Sequence, residues 1–72
     1  MRPIWVIYKN PLDFPNVPFV MREHHLEGGK VIPGSKTWQG SDIMRVRRYI
    51  PKGKTKMERS EKDEPQIVEW WY

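Results

Sequence analysis

The chain opens its pattern with Ile4-Trp5-Val6-Ile7-Tyr8-Lys9, a run of β-branched and aromatic residues that predicts a strand. Ile4, Val6 and Tyr8 alternate onto one face and Trp5 and Ile7 onto the other, so both sides of this strand call for cover. Asn10-Pro11 ends it, and prolines at 11, 15 and 18 space a loop that is neither helix nor central strand. An extended pattern resumes from Val17 to Leu26, with Phe19, Met21, Glu23 and His25 opposing Val20, Arg22, His24 and Leu26. Gly28-Gly29 is a turn signal. Lys30 to Gly40, broken by Pro33-Gly34, reads as a loop or a short irregular strand.

Ser41 is a natural N-cap, and Asp42 suits the positive end of a helix dipole. Ile43, Val46 and Ile50 then fall on one helical face, and Pro51 and Gly53 supply the stop. That register sends Arg45 and Arg48 to solvent and leaves Arg47 near the boundary. A strand with Met44, Val46 and Ile50 inward is the competing reading, but it would put Arg48 in the core. The closing segment Gln66-Ile67-Val68-Glu69-Trp70-Trp71-Tyr72 predicts a last strand, with Ile67 and Trp71 opposite Val68, Trp70 and Tyr72. The expectation is one α+β domain over residues 1–72, a small mostly antiparallel β-β-α-β-β sheet with one short helix packed on it. Its strands fall at about 4–9, 17–26, 54–59 and 66–71, and its helix at about 42–50.

Composition narrows the classes. A chain of 72 residues buries only roughly 60% of the surface it exposes when unfolded, so its core is small. Cysteine is absent, which excludes disulfide scaffolds, thiolate metal sites and cysteine nucleophiles. The longest apolar run is Ile4 to Tyr8, far short of the ~20 residues a membrane helix needs. No signal peptide is read at Met1-Arg2-Pro3, so a soluble, cytoplasmic protein is expected. The net charge of +4 is unevenly spread. Residues 45–56 carry Arg45, Arg47, Arg48, Lys52, Lys54 and Lys56 without an acid, whereas residues 57–69 carry a net −3. Such a pair of blocks can bind anions, can satisfy itself intramolecularly, or can simply be solvated surface.

Candidate chemistry is sparse. Asp13 between prolines suits a turn acceptor better than a catalytic carboxylate, and Arg22 can pair with Asp13 or Glu69 across the sheet. His24 and His25 point to opposite faces of a strand, so they do not share one metal ion. Gly28-Gly29-Lys30 lacks the spacing of a phosphate loop. Glu61, Asp63 and Glu64 occupy a polar turn with nothing to tune a carboxylate for acid–base work. No cofactor, metal or enzymatic activity is expected. Trp38 is either an exposed hot-spot residue beside the basic block or a ring folded back over a small core. The strongest signal is the basic block, with Arg45, Arg48 and Lys52 as a stripe extended by Lys54 and Lys56. It suits either an acidic protein surface or nucleic-acid phosphate.

Trp5-Val6-Ile7-Tyr8, Asn10-Pro11-Leu12-Asp13-Phe14-Pro15 and Phe19-Val20-Met21-Arg22 together resemble the opening of small proteins of bacteria and their phages. That opening reads roughly Trp-x-Val-Tyr-x-x-Pro-x-Asp-Tyr-Pro, then Phe-Val-x-Arg. The Ser-led helix ending in proline and the closing Ile67-Val68-Glu69-Trp70 are similar too. Residues 30–40 are shorter than in that pattern and 45–56 more basic, and none of the shared positions is catalytic. In size, charge and build the chain is also similar to a lytic-phage antiterminator that binds RNA polymerase. The resemblance implies a non-enzymatic regulator, acting as a monomer in the host cytoplasm on host RNA polymerase. Trp38, Arg45, Arg47, Arg48, Lys52, Lys54 and Lys56 are the candidate partner-binding residues. Direct nucleic-acid binding through 45–56 is the alternative, and no membrane contact is expected.

Overall fold

The computed structural model describes residues 2–61 and 63–72, so Lys62 of the charged turn lies outside the described residues, as does Met1. β1 (Arg2–Lys9), β2 (Phe19–Glu27), β3 (Lys30–Gly40), β4 (Lys56–Glu58) and β5 (Ile67–Trp71) form one antiparallel sheet in the spatial order β3-β2-β1-β5-β4. α1 (Ile43–Arg47) packs on one of its faces. This is the small α+β sheet with one short helix that the sequence pattern predicts. The segment left open as loop or irregular strand is β3, at the edge of the sheet.

β1 takes the centre because it is the strand apolar on both sides. Ile4, Trp5, Val6 and Ile7 are all buried. Trp5 and Ile7 join Met21 of β2 and Val46 of α1 in the core under the helix, with Phe19, Trp38, Ile43, Ile50, Val68 and Trp71 around them. The opposite face carries Ile4, Val6, Tyr8, Val20 and His24, and no helix among the described residues covers it. The proline-rich loop folds over part of it, burying Pro11, and Arg22 holds that loop through a 2.9 Å bond to Asp13. Of the two partners the sequence allows for Arg22, Asp13 is the one in reach.

Gly28 and Gly29, at φ 57° and 79°, make the two-residue hairpin between β2 and β3. Two successive positive φ values match the right-handed twist of the flanking strands and favour glycine at both positions. Further along, Arg22 pairs with Thr37 but His24 pairs with Pro33, so Gly34, Ser35 and Lys36 bulge opposite Glu23. Gly34 is required there, since a Cβ would overlap the Glu23 carbonyl oxygen.

Three local expectations are corrected. The N-cap is Asp42, not Ser41: its extended backbone starts the helix, and its Oδ1 accepts from Arg45 N at 3.1 Å. The regular helix is also shorter than residues 42–50, although the Tyr49 and Ile50 amides continue it as a tight turn onto Val46 and Arg47. In β5, Ile67 and Trp71 do not share a face. Tyr8 pairs with Ile67 but Ile7 pairs with Glu69, so Val68 is an extra residue. The bulge turns Ile67 to the side of Val6 and Tyr8, together with Trp70, while Glu69 and Trp71 face the helix side.

A Gly34→Ala substitution is expected to lower unfolding free energy by about 1–3 kcal/mol, because the bulge must open to admit the methyl group. A urea midpoint unchanged from the parent chain would show that the β2–β3 approach is looser than described.

Candidate functional site on the helix side

Glu69 lies in the middle of the sheet, 5% exposed, on the side that faces α1. A buried carboxylate needs partners, and three converge on it. Arg47, the last residue of α1, grips it with two bonds, Nε to Oε1 at 2.9 Å and Nη2 to Oε2. Trp71 Nε1 donates to Oε1 at 2.9 Å, and Lys56 Nζ of β4 stands 3.8 Å from Oε2. Burial by itself pushes the Glu69 carboxyl up. The Arg47 and Trp71 hydrogen bonds and the Arg47 and Lys56 charges outweigh it and hold the group below its ordinary range. The same contact raises the Arg47 guanidinium.

This junction divides the basic block. Arg47 and Lys56 are committed to Glu69, and Lys56 also reaches Glu58 at 3.0 Å. Lys54 lies over the Trp5 ring, 5.2 Å from its centroid, a cation–π contact on the core edge. Arg45 lies along the solvent side with Asp42 3.4 Å away. Arg48 and Lys52 are exposed, and neither forms an ion pair among the described residues. Lys52 lies past the end of α1, so the cations left facing outward are Arg45 and Arg48 on the helical turns and Lys52 beyond them.

Trp38 is half-buried, packed against the core under α1, and it carries Tyr49 on its outer side with ring centroids 6.1 Å apart and planes 27° from parallel. The exposed aromatic beside the cations is therefore Tyr49, 56% exposed, with Met44, 61% exposed, on the same short helix segment. Sequence reasoning missed Tyr49 because it falls between Val46 and Ile50, off the spacing that marks the apolar face of the helix. It named Glu69 only as a possible partner of Arg22 and missed its pairing with Arg47, where the available signal was a single acid inside Ile67-Val68-Glu69-Trp70-Trp71.

The uncovered face has its own polar site. Tyr8 Oη and His24 Nε2 are 3.3 Å apart at the side of a cleft of about 440 Å³ that Asp13, Arg22, Glu64 and Gln66 also line. Burial, with the Arg22 and His25 charges adding to it, pushes the His24 imidazole below its ordinary 6.5 and keeps it neutral. Burial and the Glu64 carboxylate raise the Tyr8 phenol, so it stays protonated. Here the Tyr–His contact joins the second strand to the first. A second, more apolar cleft of about 440 Å³ lies at the other end of this face, among Ile4, Leu26, Val31, Met57 and Trp70. Trp70 is fixed by a 3.0 Å bond from Nε1 to Asp63, which with the Ser60 amide holds that carboxyl below its ordinary range.

No described helix is long and apolar enough to cross a membrane, and no group of three or more potential metal ligands occurs among the described residues. Compared with known proteins, the chain matches no family model, no curated protein and no solved structure.

Arg47→Ala is expected to cost about 3 kcal/mol of stability, because it strips the main counter-charge from a buried carboxylate. The double change Arg47→Met with Glu69→Leu should cost less than the single one. If chemical denaturation ranks them the other way, the pair is not what organises the sheet. Stability should also fall as pH drops through and below 6.5, since the unfolded chain takes up a proton that folded His24 refuses. A further loss follows in the acid range where Glu69 is protonated. Thermal midpoints from pH 8 to pH 5 test the first limb, which His24→Gln should flatten.

Proposed function

We propose that this is a non-enzymatic binding protein that docks its helix side on an acidic surface of a larger macromolecular partner. The observation that carries the reading is the mixed patch in which Met44 and Tyr49 are exposed among Arg45, Arg48 and Lys52. Apolar and aromatic side chains in the middle of such a patch set the lifetime of a complex, and the surrounding charges speed its formation. Trp38 supports Tyr49 from beneath, so the ring is presented with little rotamer freedom to lose on binding.

The partner favoured by the resemblance to small phage proteins is host RNA polymerase. The protein would act there by occupation, inhibiting initiation or suppressing termination because another factor or the emerging transcript is kept off the surface. Direct nucleic-acid binding is less well supported, because Arg47, Lys54 and Lys56 are turned inward to Glu69 and Trp5 and leave fewer cations to track phosphates.

The test is capture on the tagged protein from nuclease-treated bacterial lysate, washed at low and then high salt. RNA polymerase subunits are expected to survive the high-salt wash, and Tyr49→Ala with Arg48→Glu should reduce their recovery about tenfold or more. Binding lost to nuclease or to moderate salt would replace this reading with the nucleic-acid one. Recovery of the polymerase that ignores both substitutions would move the site elsewhere.

A further inference from the structure

The two edges of the sheet differ. β3 is interrupted by Pro33, which has no N–H to offer, and by the bulge at Gly34 to Lys36, features that discourage strand addition. β4 has neither proline nor bulge. Thr55 and Tyr72 exchange both backbone bonds, Thr55 N to Tyr72 O at 2.8 Å and Tyr72 N to Thr55 O at 3.0 Å. Antiparallel alternation then makes Met57–Trp70 the next bonded pair. It follows that the N–H and C=O groups of Lys56 and Glu58 point away from β5, outward from the sheet.

Lys56-Met57-Glu58 is self-complementary when laid antiparallel on itself. With Met57 opposite Met57 of a second copy, each Lys56 stands opposite a Glu58, and these are the residues whose backbone groups face outward. One register therefore satisfies four backbone bonds and sets each Glu58 beside the Lys56 of the other copy rather than beside a like charge, although Lys56 also serves Glu58 and Glu69 of its own chain. Met57, 48% exposed, lines the apolar cleft with Ile4, Leu26, Val31 and Trp70. The same register joins that cleft to its counterpart across the two-fold axis and removes the exposed methionine from water.

We propose that β4 pairs with β4 of a second copy of this chain, making an isologous dimer with one continuous ten-stranded sheet. This departs from the monomer expected on sequence grounds, and it does not depend on the identity of the outside partner. An in-plane antiparallel pairing puts the two-fold normal to the sheet. Both helix-side patches then face the same way and present Tyr49, Arg45 and Arg48 twice to a partner surface.

Sedimentation velocity of the full chain from about 20 µM to about 1 mM tests this, since so short an edge gives a small and weak interface. A concentration-dependent dimer is expected. Glu58→Lys sets lysine opposite lysine at both symmetric pairs and should weaken the dimer about tenfold or more. Glu58→Pro deletes an outward N–H without touching the bonds to β5 and should do the same. Lys36→Glu, on the opposite edge, should leave association unchanged, and the near-ultraviolet circular dichroism of the tryptophans reports that each variant is folded. A chain that stays monomeric across the range, or a dimer indifferent to both Glu58 changes, overturns the proposal.

Discussion

A carboxylate inside a small sheet has to be neutralised where it stands, and Glu69 obtains its neutralisation from three separate elements. Arg47 comes from the end of α1, Lys56 from β4, and the Trp71 indole from β5 itself. The need to bring these groups to one point fixes how the helix end lies over the sheet and which way the edge strand runs. The core under α1 is only Trp5, Ile7, Met21 and Val46 with a ring of half-buried neighbours, so this polar junction supplies orientation that apolar burial alone would leave loose. The helix has five residues, too few to form in isolation, and exists because Val46 and Arg47 are both held.

The junction also governs what the surface can do. A cation that answers a buried acid is not available to a ligand, so Arg47 and Lys56 drop out of the basic block and Lys54 is drawn to Trp5. What remains outward is a smaller group of charges around two exposed apolar side chains. Such a mixture suits the protein contact proposed above better than a phosphate track. The opposite face follows another logic. There the proline-rich loop, the Tyr8–His24 contact and the Asp63–Trp70 bond cover parts of the face turned away from α1.

Much of this was legible in the sequence. The apolar pattern of Ile4 to Tyr8 identified the central strand, Gly28-Gly29 the hairpin, and Ile43, Val46 and Ile50 the buried face of the helix. These are short-range signals, in which a residue's neighbours along the chain decide its geometry. The basic block was legible as composition, and Arg45 and Arg48 lie on the solvent side as helical spacing requires. Trp38 was left between two readings, and its place under Tyr49 depends on a stack between residues eleven positions apart that no local pattern encodes.

By itself, then, the sequence determined four of the five strands, where the chain turns, and that one short amphipathic helix rests on the sheet, because periodicity and turn chemistry act over a few residues. Lys30 to Gly40, broken by Pro33-Gly34, stays open between loop and strand on that pattern alone. Only the tertiary structure decided that Val68 is a bulge, that Ile67 and Trp71 therefore part company, and which of the six block cations are neutralised. The physical reason is the same in each case. Register and ion pairing depend on what lies opposite, and what lies opposite Glu69 is 22 residues away at Arg47 and across the sheet at Ile7.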